Sequence, residues 1–242
     1  MQPIQLFWLE CDESQLPVDE SWLSDAETAY FGQRWVTKRR RDWILGRWAA
    51  KCALAGYAGL AVSPRRFRNI SIVPTESGAP VGMMWGKPMG VSLSISHCGG
   101  RALALIGPPE ISVGCDLERV EPHSPAFVES FFTPSEIDQV EQSASDDRPT
   151  ISSLIWSAKE SVLKVLKVGL RVDSRSLSVA IEAPQCTATD WRRFSAIVVD
   201  GRHFDGWWLR ATTWLSTMAA SAATSPPTVL ALPNQEAHGH CV

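Results

Sequence analysis

A chain of 242 residues, 45% hydrophobic and 20% charged, can bury one large core or two small ones. Its net charge of −3 gives no global field for nucleic acid or an anionic membrane, and no apolar run approaches the ~18 residues of a membrane span. Six scattered cysteines without a CxxC, and a start lacking a basic then apolar leader, predict free thiols and a cytoplasmic protein without a signal peptide.

In chain order, "PIQLFWLE" predicts an opening strand. Helical spacing of Trp22, Ala26, Ala29, Tyr30 and then of Trp43, Ile44, Ala49, Ala53 and Leu54 predicts two helices. Ser24 and Glu27 have the spacing of a capping box. The basic run Lys38-Arg39-Arg40-Arg41 falls near the helix junction, and Trp35, Trp43 and Trp48 read as core. "IVPTESGAPVGMMWGKPMG", dense in Gly and Pro, predicts a loop-rich passage. "VSLSISHCGGRALALIG" alternates on both sides of a Gly-Gly and predicts a hairpin, and "ISVGCDLERVE" predicts a strand ending near Pro122.

Downstream, Thr133 followed by Pro134 opens a helix over "FFTPSEIDQVEQ". A polar break, "SASDDRPT", precedes a long helix over "ISSLIWSAKESVLKVLKVG", which Gly169 can end. "SLSVAIEA", "FSAIVVDG", "FDGWWLRATTW" and "LSTMAAS" predict strands, with the tryptophans of the third in the core. The tail from Ala222 carries Pro226, Pro227 and Pro233 and is expected to be loose. The order predicts an α+β fold written twice: residues 1–111, residues 112–221, then a flexible tail, 222–242.

The chemistry concentrates in acids. On a strand, Asp116 and Glu118 point to one face about 7 Å apart. On a helix, Trp156, Glu160 and Lys164 form one stripe at i, i+4 and i+8. If the stripe packs on the strand, three carboxylates meet one ammonium. Repulsion among such acids favours a cation, and magnesium suits a few carboxylates plus phosphate oxygens. The alternatives at this point are a solvated strand edge and an ordinary helix ion pair. His97, at a Gly-Gly turn, is placed either to meet a phosphate or to make a local turn contact. Lys38 to Arg41 and Arg47 offer polyanion contacts or a solvated helix end.

Together, "SLSISHCGG", "SVGCDLERVE" and "FFTPSEIDQV…IWSAKESVLKVLKVGL", with the weaker "RRRDWILGRWAAKCAL", resemble the phosphopantetheinyl transferases of the surfactin-synthetase (Sfp) type over roughly residues 4 to 220. The resemblance implies a pseudo-dimer of two α+β halves, working as a monomer, with coenzyme A in the cleft between them. It implies transfer of 4′-phosphopantetheine from coenzyme A to a serine of an apo acyl, polyketide or peptidyl carrier protein, releasing 3′,5′-ADP. Asp116, Glu118 and Glu160 match the acids around magnesium, and Glu160 matches the base for the serine hydroxyl. Lys164 matches the lysine on the phosphate under attack. Ser96 and His97 fall in the block at the coenzyme A phosphates, with Lys38, Arg40, Arg41 and Arg47 directed at the 3′-phosphate or pyrophosphate. Relatives often carry Gly-Lys-Pro near the adenine end; here the aligned stretch is Gly78-Ala79-Pro80, while a Gly-Lys-Pro containing Lys87 lies closer to His97. Rival readings are a catalytically inactive carrier-protein binder, a nucleic-acid binder using the basic helix, and another magnesium phosphotransferase.

Overall fold

The structure is a computed structural model that describes residues 3–30, 37–61, 63–168, 172–181 and 190–231. Strand β1 (Phe7–Asp12) pairs antiparallel with β6 (Arg101–Gly107), which pairs with β5 (Ser92–Cys98). The β5–β6 turn is Gly99-Gly100, both at positive φ (+52° and +80°), a conformation glycine adopts without a Cβ penalty. Across this sheet lies α2 (Thr37–Tyr57), whose Leu45, Ala49, Cys52 and Ala53 are buried with Leu9, Ala102, Ala104 and Ile106. Before it, α1 (Asp25–Tyr30) begins at the expected capping box: Ser24 N–H donates to Glu27 Oε2 and Glu27 N–H to Ser24 Oγ.

The expected loop-rich passage is instead mostly sheet. After the short α3 (Pro64–Phe67), β2 (Ile70–Pro74), β3 (Pro80–Met84) and β4 (Lys87–Pro88) form a three-stranded antiparallel meander. The Gly and Pro residues supply its turns: Gly78 and Gly86 have φ of +87° and +75°, while Ile70 and Ile72 alternate into the core.

The second half runs β7 (Val113–Arg119), α4 (Pro125–Phe131), α5 (Pro134–Gln142), α6 (Arg148–Leu166), β8 (Leu177–Ile181), β9 (Arg192–Val198), β10 (His203–Ala211) and β11 (Trp214–Ala220). Its five-stranded sheet has the order β7-β11-β10-β9-β8. The polar break is shorter than expected, since α6 begins at Arg148 with Pro149 in its first turn. Helix α4 is additional to the elements expected, although Phe127, Val128, Phe131 and Phe132 recur at helical spacing.

The two halves repeat one plan. Matching β1, β6, β5, β3 and β2 to β7, β11, β10, β9 and β8 gives the same strand order, except that hydrogen bonding is interrupted between β5 and β3. Buried polar groups repeat as well. Lys51 Nζ reaches Glu27 Oε2 at 2.6 Å and the carbonyls of Trp22 and Phe67, while Ile72 N–H donates to Glu27 Oε1. Lys159 Nζ reaches Glu136 Oε2 at 2.7 Å and the carbonyls of Phe131 and Ser174, while Val179 N–H donates to Glu136 Oε1. A shared core of Leu103, Leu105, Val113, Cys115, Leu117 and Met218 joins the halves, so the expected two-part α+β fold is the fold observed.

The segment expected to be a loose tail returns to the first half. Ile4 bridges Thr224, and β12 (Thr228–Val229) pairs parallel with β1. Pro226 and Pro227 lie between these contacts, and positions 232–242 fall outside the described residues, as do Trp35, Gly169, Cys186 and Cys241. Cys11, Cys52, Cys98 and Cys115 are free thiols, and Trp207 and Trp208 are buried as expected. No helix among the described residues is long and apolar enough to cross a membrane.

Candidate active site

The site forms where β5 of the first half runs beside β7 of the second. No backbone ladder joins these strands; side chains do. Ser94 Oγ accepts from Cys115 N–H at 3.0 Å, and Ser96 Oγ donates to Asp116 Oδ1 at 2.8 Å. Helix α6 covers β7 from the other side because Gly114 presents no side chain there, which brings the Trp156, Glu160 and Lys164 stripe over the acids.

Asp116 is buried and its oxygens are well supplied with donors. Lys164 Nζ sits 2.9 Å from Oδ1 and 2.8 Å from the Cys115 carbonyl oxygen, and Ser157 Oγ donates to Oδ2 at 2.9 Å. Ser157, Ser161 and Thr217 interlock behind it, with Ser157 Oγ 2.9 Å and Ser161 Oγ 2.6 Å from Thr217 Oγ1. Burial alone would lower the Lys164 ammonium, but the neighbouring carboxylate, chiefly Asp116, outweighs this and holds it above the usual lysine range. Lys164 is therefore a fixed positive charge.

Glu118, two residues on, shares the face of Asp116. Its Oε1 accepts from Trp156 Nε1 at 3.2 Å, and the Trp156 ring is packed against Phe127 and Phe131, each 5.1 Å away between centroids. Burial first, and then the Asp116 charge, push the Glu118 carboxyl up to about 7. Burial and Asp116 also raise Glu160, whose Oε1 is buried without a hydrogen-bond partner. A partly desolvated group of three acids against one lysine lacks positive charge, and an unpartnered buried carboxylate oxygen is an acceptor awaiting a donor or cation. The residues therefore fit a hard cation. Among the described residues, though, no group of three or more such side chains converges to hold a metal ion by itself.

His97, one residue before the end of β5, is exposed. Burial of its surroundings lowers its pKa, against the pull of the Asp42 carboxylate, so the ring favours the neutral form near pH 7. The α2 helix crosses β5 here at Gly46, where a Cβ would lie 3.1 Å from Ile95 Cγ2 and 3.9 Å from His97 Cδ2. The basic residues are scattered by comparison. Lys38 and Arg41 are exposed in the first turn of α2, Arg40 pairs with Glu20 at 2.6 Å, and Arg47 lies over the Trp43 ring, 4.6 Å from its centroid. Ser96, the residue before His97, is buried and its hydroxyl donates to Asp116.

A cleft of about 390 Å³ opens at Lys164, and none of the three acids is among its described lining residues. Gly78-Ala79-Pro80 and Lys164 line it, and Lys87 does not, because β4 carries that residue to the exposed β3–β4 tip. The residues not singled out in the sequence are Ser157 and Thr217, which hold Asp116 from behind, Cys98, whose Sγ lies 3.7 Å from Glu118 Oε2, and Lys167 at the cleft mouth. Ser157 lies three residues before Glu160 and seven before Lys164, on the same helix face, and could have been found from that spacing; Thr217 carries no such signal.

Two family models cover most of the chain. Residues 112–216 match the 4′-phosphopantetheinyl transferase superfamily, and residues 26–107 match the 4′-phosphopantetheinyl transferase N-terminal domain. The holo-[acyl-carrier-protein] synthases of Streptococcus equi subsp. zooepidemicus (strain MGCS10565) and Streptococcus equi subsp. equi (strain 4047) are each 33% identical over 87 residues, covering 35% of this chain and 70% of the relative. The chain belongs to the 4′-phosphopantetheinyl transferase superfamily. It is a transferase that moves phosphopantetheine from coenzyme A to apo carrier proteins, and the reading as an inactive carrier-binding homologue finds no support.

Proposed function

We propose that this chain is a magnesium-dependent transferase of the surfactin-synthetase type, acting as a cytoplasmic monomer. The observation that carries the reading is Lys164 held between Asp116 and the Cys115 carbonyl one helical turn from the unpartnered Glu160. A carrier serine presented beside Glu160 gives up its proton to that carboxylate, directly or through one water. The serine oxygen then attacks the phosphorus bearing the pantetheine arm, and 3′,5′-ADP leaves. Lys164 neutralises charge on the phosphate under attack. His97 contacts the coenzyme phosphates, with Lys38, Arg40, Arg41 and Arg47 toward the 3′-phosphate or pyrophosphate. Magnesium held by Asp116, Glu118 and Glu160 would supply charge neutralisation on the pyrophosphate oxygens. Fixed charges and a positioned base are what an in-line displacement at phosphorus requires.

An intact-mass assay tests this with apo carriers of fatty acid, polyketide and nonribosomal peptide synthesis, coenzyme A and magnesium. The expected result is a gain of one phosphopantetheine on at least one carrier, abolished by EDTA and by Glu160→Ala. Full activity in EDTA would remove the metal from the proposal. No gain on any carrier, from a folded protein that binds coenzyme A, would refute the transfer reading.

A further inference from the structure

Lys167 stands where a helix ordinarily ends in glycine. It follows α6 with φ +56° and ψ +29°, the left-handed region, and its N–H closes the helix onto the Leu163 and Lys164 carbonyls. A side chain at such a position costs of order 1 kcal/mol, and non-glycine residues kept there tend to serve a site. Lys167 also lines the cleft that Lys164 enters, together with the Thr75, Ser77, Ser92 and Ser112 segments. Among the described lining residues Glu110 is the carboxylate and Lys164 is already paired with Asp116, so Lys167 is the uncommitted cation there.

We propose that Lys167 binds the adenosine-side phosphate of the coenzyme A pyrophosphate while Lys164 takes the phosphate under attack. This rests on the reading of the site given above. Residues three apart on a helix face stand about 5–6 Å apart at Cβ, a spacing that two long side chains can close onto the adjacent phosphates of one pyrophosphate. Lys164 is the lining residue that is paired with Asp116, and Lys167 follows it by three residues on the same cleft wall. A pyrophosphate held by both lysines would extend from Lys164 into the cleft that Gly78-Ala79-Pro80 also lines.

Isothermal titration with coenzyme A and magnesium, on wild type, Lys167→Gln and Lys167→Gly, tests the assignment. Lys167→Gln removes the charge at unchanged backbone cost, and Lys167→Gly also relieves the left-handed strain. Both are expected to bind coenzyme A roughly tenfold more weakly, the size of a lost charge-assisted contact. The thermal midpoint of Lys167→Gly should be no lower than that of wild type. The same loss with 3′-dephospho-coenzyme A assigns the contact to the pyrophosphate. An unchanged Kd in Lys167→Gln, or a loss seen only with the 3′-phosphate present, overturns the assignment while leaving the function intact. Wild type that binds neither coenzyme overturns both.

Discussion

Gly114 of β7 lies so close to the Ser161 carbonyl of α6 that a methyl group on Gly114 would sit 1.9 Å from that oxygen and 2.9 Å from Val165 N. Neither contact is with a flexible side chain. The neighbouring backbone can give way only by moving α6 off β7.

Gly114→Ala is therefore expected to destabilise the protein by roughly 3 kcal/mol or more, read from urea unfolding, with phosphopantetheine transfer lost alongside. A near-normal urea midpoint with intact transfer would show that α6 is not pinned at this point.

The carboxyl of Glu118 titrates at about 7, well above its unfolded range near 4.5, so its charged form is disfavoured by folding. Stability tied to this group is present below pH 4.5 and is lost as pH rises through 7. Glu118→Gln should raise the metal-free melting temperature relative to wild type at pH 8 and leave the difference near zero at pH 4.5. Equal effects at both pH values would mean that folding does not shift the Glu118 carboxyl.

Trp156→Phe keeps a ring between Phe127 and Phe131 but removes the indole N–H that lowers Glu118. The acid limb of the transfer rate should then move to higher pH. A profile unchanged from wild type would show that Glu118 protonation does not limit the rate.

Breaking either buried lysine–glutamate pair should cost about 3–5 kcal/mol, because the partner charge is left dry and unpaired. Lys51→Met and Lys159→Met are thus expected to lose comparable stability in separate chemical-denaturation curves. The double replacement Lys159→Met with Glu136→Gln should recover part of the loss. A cost below about 1 kcal/mol for Lys159→Met would show that solvent reaches Glu136.

Much of this was legible in the sequence because periodicity and capping are local. The Ser24–Glu27 box, Pro134 after Thr133 and the Gly99-Gly100 turn each announce themselves within four residues. The acids were legible as well, since alternation fixes Asp116 and Glu118 on one face and helical spacing fixes Glu160 and Lys164. The β2–β4 meander was not, because its strands are two to five residues long and their turn glycines dominate the composition. Nor was β12, whose pairing with β1 joins residues more than two hundred positions apart. Ser96 shows the limit at the site itself: its motif marks the right place, but only packing shows that its hydroxyl is spent on Asp116.

The repeated lysines also bear on stoichiometry. Superposing Lys51 on Lys159 carries Trp48 onto Trp156, yet places Cys52 where Glu160 stands and Gly56 where Lys164 stands. One half keeps the scaffold with neither the glutamate nor the ammonium, so the chain is a doubled frame with a single furnished chamber. Titration to saturation should accordingly stop at one molecule of coenzyme A per polypeptide.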